Sequence, residues 1–284
     1  MYYLLLSILY PLSLLPLRLL YLLADAGYGL VVLTGYRKQE VWENLKHAFP
    51  DKSDRELLII MRQFYKSFCD QWVETIKLLS ISKKALDKRI TGNWHILQEL
   101  SVANKNSYVL LGHTFNWEWA SVACQYNTPQ QFAGVYMPVN STIMNRLMAK
   151  IRTRGGGWLI SMKARKGFRK LENVHYTVGL IADQNPSNMN GAIWLPFMNR
   201  EAPFFRGPAL LAQRANAAVV FAGIKKVKRG RYTVKLELLT PDAGNMDAND
   251  ITLAYVSFME KQLNEQPANW LWTHKRWKYK KPVL

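Results

Sequence analysis

The sequence predicts an α/β fold: a single domain with a central mixed sheet flanked by helices, behind a hydrophobic membrane-anchoring helix or hairpin. Three observations carry this expectation. From residue 107 onward, short runs rich in β-branched and aromatic residues alternate with segments of helical periodicity, the pattern of a sheet with helices on its faces. Residues 1–34 carry only Arg18 and Asp25 as charges. No repeat, low-complexity tract or Gly/Ser linker divides the remainder, so the chain reads as an anchor over 1–34 and one domain over 35–284.

Taken in order, the 17 residues before Arg18 are short for a spanning helix, and Pro11 and Pro16 are expected to break them. A tilted span and a hairpin in the near leaflet both fit. No small-residue cleavage site follows, which argues against a removed signal peptide. Residues 35–52 read as a helix ended by Pro50. Ser53 opens the next, with Glu56 completing a capping box. Leu57, Ile60, Met61, Phe64, Phe68, Trp72, Ile76 and Leu79 keep helical spacing along it, a core or membrane-facing stripe. Lys83 to Arg89 is a basic cluster that reads as a solvated face. Strands are predicted over 107–112, 131–136, 177–182 and 218–224, with 231–239 pairing back across Lys228-Arg229-Gly230 as a hairpin. Helices are predicted over 116–126, 141–151, 164–172, 208–215 and 251–265, the fourth with Pro208 at its first position and the last capped by Asp250.

Composition narrows the chemistry. Lys and Arg number 38 against 20 Asp and Glu, a formal net charge of +18, which implies an anionic partner: a membrane surface, an acidic protein, a phosphorylated substrate or nucleic acid. Ten Trp and 14 Tyr suit a membrane interface. Cys69 and Cys124 are too few for a disulfide framework and read as buried thiols in a reducing compartment. His47, His95, His113, His175 and His274 show no metal-ligand spacing, so no metal is expected. No Gly-x-Ser-x-Gly nucleophile elbow is present.

The candidate chemistry centres on residues 107–120. His113 follows an apolar strand, and Glu118 falls in the first turn of a helix that Asn116 caps. On one continuous helix, side chains five residues apart point roughly 140° away from each other. Across a strand–turn–helix corner they converge, and a carboxylate on Nδ1–H fixes the tautomer and leaves Nε2 as a base for a hydroxyl or amine. The plain alternative is a histidine hydrogen-bonded for packing. Arg152-Thr-Arg154-Gly-Gly-Gly reads either as an anion cradle or as a helix C-cap turn, and it is no Walker loop. Asp183-Gln184-Asn185 ends the apolar strand 177–182, either a ligand-facing sheet edge or a turn closed by Asx hydrogen bonds. Phe205-Arg206 forms part of an apolar, partly basic lip. In the tail, Trp270 to Lys281 interleaves Trp with Lys and Arg, which suits a lipid headgroup layer better than nucleic acid beside so apolar an N-terminus.

Together these pieces resemble the bacterial lipid A biosynthesis late acyltransferases, the lauroyl/myristoyl acyltransferase family, which is lysophospholipid acyltransferase-like. The likeness runs through Arg37, Asn44-Leu45, Ala48-Phe49-Pro50, His113-x4-Glu118, Tyr136-x-Pro138-x-Asn140, Arg152-x-Arg154-Gly155, Asp183-Gln184, Gly207-Pro208-Ala209 with Leu211-Ala212, and Trp272-x-His274-x-Arg276-Trp277. The resemblance implies an acyltransferase-type domain at the cytoplasmic face of the cell inner membrane. It would move a fatty acyl group from acyl carrier protein to a hydroxyl of a lipid A precursor, without cofactor. His113 would be the general base and Glu118 its orienting partner. Asn116, Arg152, Arg154, Asp183, Gln184 and Arg206 would hold substrate, with helix amides near Asn116 or an arginine facing the oxyanion and arginines on an anionic head group. The chain departs from the family pattern at Trp194 to Asn199 and at Phe205-Arg206. These departures leave a lysophospholipid or aminolipid acceptor as the alternative, beside a thioester or lipid hydrolase and a catalytically idle membrane-binding module.

Overall fold

The computed structural model describes residues 1–282 apart from Arg165 and Ser187. The apolar N-terminus forms two helices, α1 (Tyr2–Leu14) and α2 (Leu17–Thr34), which meet at Leu15 and Pro16. Pro11 is accommodated inside α1, at the cost of one helical N–H bond, and only Pro16 interrupts the run. Helix α2 ends at Gly35, whose left-handed φ of 61° turns its amide back onto the Val31 and Val32 carbonyls. That turn delays the next helix, α3 (Lys38–Ala48), relative to the predicted start at 35.

Helix α4 (Asp54–Lys77) begins with the predicted capping box between Ser53 and Glu56. Leu57, Ile60, Met61 and Phe64 of its stripe are buried in the core, whereas Trp72 is exposed. Helix α2 lies antiparallel along α4. Its Leu17, Leu20 and Ala24 are buried, the Tyr21 hydroxyl donates to Glu74 at 2.7 Å, and Asp25 shares Arg229 with Asp70. Leu19, Leu22, Leu23, Leu30 and Leu33 stay exposed on the opposite face of α2. By length and composition α2 is apolar enough to cross a membrane.

Short α5 (Lys83–Asp87), strand β1 (Ile90–Gly92) and α6 (His95–Val102) lead into the sheet; none of the three is evident from periodicity, because each is too short to build a distinct repeat. The sheet then gathers β2 (Ser107–Leu111), β3 (Gln131–Tyr136), β4 (Trp158–Ser161), β5 (Tyr176–Ile181), β8 (Ala218–Lys228) and β9 (Arg231–Thr240). Its order is β1-β9-β8-β2-β5-β3-β4, parallel throughout except where β9 returns along β8 across a hairpin turn, with Gly230 at φ 69°. The mixed sheet is therefore as expected, with one antiparallel pair. Helices α7 (Trp117–Asn127), α8 (Thr142–Arg152), α9 (Gly207–Arg214) and α10 (Ala248–Glu265) make the connections and cover the faces. A separate hairpin, β6 (Ala192–Phe197) with β7 (Arg200–Phe205), fills the stretch read only as an apolar lip.

Three expectations are corrected here. The predicted helix 164–172 includes Arg165, outside the described residues, and from Gly167 to Leu171 the chain makes a tight 3₁₀ turn. Helix α10 starts three residues before its predicted first residue, since the Asp247 side chain, not that of Asp250, accepts from a first-turn amide, Asn249 N–H at 2.7 Å. The aromatic tail is core and not interface. Trp270, Trp272 and Arg276 are essentially inaccessible, and the Trp272 indole donates to the Pro267 carbonyl at 2.7 Å. Indoles whose N–H groups find partners inside are worth more buried than in a headgroup layer.

Candidate active site

Strands β2 and β5 are adjacent and parallel, with Leu111 opposite Ile181. Continuing that register two residues past each strand end sets His113 opposite Asp183, at the carboxyl edge where α/β sheets hold ligands. Gly112 leaves room for α10 against the turn: a Cβ there would lie 2.2 Å from the Met259 terminal methyl. The His113 Nδ1 stands 2.6 Å from Asp183 Oδ1, and the His113 backbone N–H donates to Oδ2 at 2.8 Å. The Trp270 indole N–H donates to the same Oδ2. Burial alone would raise the Asp183 carboxyl, but the His113 charge and these donors hold it down at about 2, so it is ionised. An ionised carboxylate accepts only, which assigns the proton to Nδ1 and leaves Nε2 of a neutral His113 as acceptor.

Glu118 makes a different contact from the one expected of it. Its carboxylate does not reach His113. It takes Arg152 through Nε at 2.9 Å and Nη2 at 2.6 Å, and the Trp117 indole N–H at 3.0 Å. The reason is local. Asn116 caps α7, its Oδ1 accepting from Trp119 N–H at 3.0 Å, and the first turn then aims Glu118 toward the end of α8. Trp117 joins the two clusters, its ring edge-on to the His113 imidazole with centroids 5.2 Å apart.

The other sequence candidates separate. Asn116 is fully buried and its Nδ2 donates to Glu74 at 2.7 Å, so its side chain supports the corner and faces no ligand. Glu74 also receives the hydroxyls of Tyr21 and Tyr232, and burial pushes its carboxyl up against these bonds. Arg154 is spent on the Leu79 and Ile81 carbonyls. The Gly155 and Gly157 amides hold the Gln125 side chain at 3.0 Å each, and Gln125 in turn donates to the Arg152 carbonyl, so the glycine run closes a helix end and does not cradle an anion. Gln184 is half-buried beside Asp183. Arg206 sits at the N-cap of α9, its Nε buried without a partner among the described residues. No group of metal-ligating side chains is assembled among the described residues.

Behind Asp183 lies what sequence reasoning passed over. Arg276 is fully buried, donates to the Asn185 side chain at 2.7 Å and stacks over Phe204 at 4.2 Å. Burial lowers its guanidinium to about 10, against the pull of Asp183. His274 Nε2 accepts from the Asn185 amide at 3.3 Å, and burial pulls the imidazole down to about 4, Asp183 opposing and Arg276 adding to the shift. Trp270 carries no signal in sequence that separates a carboxylate donor from an interfacial ring.

An α/β protein with a His–Asp pair at the carboxyl edge of neighbouring parallel strands, and an Arg–Glu pair beside it, has the layout of a group-transfer enzyme. The model of the bacterial lipid A biosynthesis acyltransferase family matches residues 1–279, and the chain belongs to that family. It is accordingly an acyltransferase. No curated protein matches the chain.

Proposed function

We propose that this protein transfers a fatty acyl group from an acyl carrier protein thioester to a hydroxyl of a lipid A precursor, with His113 as the general base. The observation that carries the reading is the His113–Asp183 pair. Asp183 fixes the tautomer and balances the charge when Nε2 takes the acceptor's hydroxyl proton. The freed oxygen attacks the thioester carbonyl, and the tetrahedral intermediate expels the carrier's thiolate, to which His113 returns the proton. The oxyanion needs a donor. Arg152 fits, because Glu118 holds its Nε and Nη2 in a fixed fork while Nη1 has no hydrogen-bond partner among the described residues. Glu118 acts here as a positioning residue for Arg152, and Asp183 takes the orienting place first expected of Glu118.

The same reading seats the enzyme on the cytoplasmic face of the inner membrane. The exposed leucines of α2 form one face while its other face is fixed to α4, and α1 carries Tyr3, Leu4 and Ile8 outward. The Asp25–Arg229 pair and Arg18 on α2 favour a helix lying in the interface over one crossing the bilayer. The net charge of +18 suits both an anionic leaflet and an acidic carrier protein.

The test is reconstitution with acyl carrier thioester and lipid A precursor, with products resolved by mass spectrometry. Acylated lipid A that disappears in His113→Ala supports the reading. Free fatty acid in its place makes the enzyme a hydrolase. Deletion of the gene with unchanged lipid A and a missing phospholipid or aminolipid moves the acceptor to that class. Unchanged turnover by a folded His113→Ala variant removes His113 as the base and hands that role to another group, whereas a wild-type protein that yields no product revives the idle-module reading.

A further inference from the structure

A cavity of about 640 Å³ opens at the junction of α1 and α2, sharing no residue with the site around His113. Arg18, Lys77, Arg89 and Arg229 line it together with Leu17 and Tyr21, and no carboxylate is among its lining residues. Two of the cations have structural duties. Lys77 donates to the Ser13 and Leu15 carbonyls at 2.7 and 2.9 Å, and Arg229 is paired with Asp25 and Asp70. The other two do not. Arg89 reaches only the Gly230 carbonyl, at 3.4 Å, and Arg18 has no partner among the described residues. Burial, and after it the charge of Arg89, pulls the Lys77 ammonium below its ordinary value.

We infer that this cavity binds the phosphate headgroup of an anionic membrane phospholipid, with Arg18 and Arg89 as its principal ligands. Guanidinium forks match phosphate oxygens bidentately, and a low-dielectric wall strengthens the contact. The sequence neighbours of Arg18 favour a lipid over a soluble anion. Leu14, Leu15 and Leu19, exposed next to Arg18 in sequence, offer a surface for acyl chains where a free phosphate would find none. Acyl carrier protein is the less favoured occupant, because an acidic helix face docks on an open basic surface and needs no cavity. The inference rests on the membrane seating proposed above and is independent of the acyl-transfer reaction at His113.

Native mass spectrometry of the full-length protein in detergent, titrated with phosphatidylglycerol or phosphatidylcholine, tests it. One retained phosphatidylglycerol and no retained phosphatidylcholine are expected. Arg18→Gln/Arg89→Gln should weaken the adduct by roughly tenfold or more, through loss of two charge-assisted contacts. The charge-matched control Lys225→Gln/Lys261→Gln, exposed on β8 and α10, should leave it unchanged. Equal weakening by both pairs makes the binding a general charge effect and overturns the proposal. Inorganic phosphate retained as tightly as the lipid makes this a soluble-anion site, which also overturns it. A double variant that keeps its lipid but loses rate with acyl carrier protein assigns the cavity to that partner. Wild-type acyl transfer, measured in parallel, separates failure of this site from failure of the reaction.

Discussion

Replacing Asp183 by Asn keeps the side-chain volume and removes one acceptor from a carboxylate that now serves three N–H donors. An amide has one oxygen. If it stays opposite Nδ1, the new NH₂ confronts the His113 backbone N–H and the Trp270 indole, and two buried donors lose their acceptor at about 1–3 kcal/mol each. If it turns, the oxygen keeps both of those donors and the NH₂ donates to Nδ1. The second arrangement is preferred by roughly 2–6 kcal/mol, and it holds His113 as the Nε2–H tautomer, which has no base. At about 1.4 kcal/mol per factor of ten, the productive tautomer falls by roughly 30- to 10⁴-fold. Single-turnover acyl transfer should drop by that factor while the thermal midpoint stays near wild type, and ¹⁵N shifts of the imidazole should report the exchanged tautomer. A variant with wild-type turnover, or one that keeps the Nδ1–H tautomer, refutes the reasoning.

Glu118→Gln removes a charge-assisted fork on Arg152, with an expected loss in kcat of about 10- to 100-fold and no change in the shape of the pH–rate profile, because Glu118 does not touch His113. If the profile moves instead, Glu118 acts on the base after all. Burial holds His274 neutral down to about pH 4 against an ordinary value of 6.5, so the unfolded chain binds the extra proton in that window. Its contribution to stability is whole above about 6.5 and is lost as pH falls toward 4, with a slope of at most about 1.4 kcal/mol per pH unit. His274→Gln should flatten that part of the melting-temperature curve. Membrane fractionation should retain the protein at high salt through α1 and α2, since apolar attachment is not screened, and complete release by salt alone would leave only charge as the anchor.

Much of this architecture is written in local pattern. Ser53 with Glu56 and Asn116 before Trp117 are chemical signals that act within one turn, and each stands where the sequence puts it, while Pro208 falls one residue inside α9, behind Gly207. His113 and Asp183 were each legible as polar residues ending apolar strands. Their partnership was not, because it depends on β2 and β5 being neighbours in register, and 70 residues separate the two side chains. Spacing alone pairs Glu118 with the nearest histidine in sequence, whereas the first turn of α7 points it at a guanidinium 34 residues on. The tail misled for a related reason. Trp and Lys/Arg interleaved at an interface and Trp packed in a core with a buried Arg276 and lysines at the rim have the same composition, and only burial tells them apart. The glycine run after Arg152 likewise needed Gln125 in view before its amides could be assigned.

The three hydroxyl and amide donors on Glu74 bear on how this protein can be handled. Tyr21 on α2 and Asn116 at the β2–α7 corner meet on the same carboxylate, and burial leaves that carboxylate no water to fall back on. A truncation that removes the apolar helices to obtain a detergent-free enzyme takes away one of the donors and, with it, Leu17, Leu20 and Ala24, which are buried in the same apolar cluster as Cys69 and Val73 of α4. Tyr232 remains, but the Asn116 end of α7 then hangs on a bond partner half-deprived of its own support. A soluble form is better sought by recolouring the outward leucines of α2 with polar residues while leaving Tyr21 and Ala24 in place.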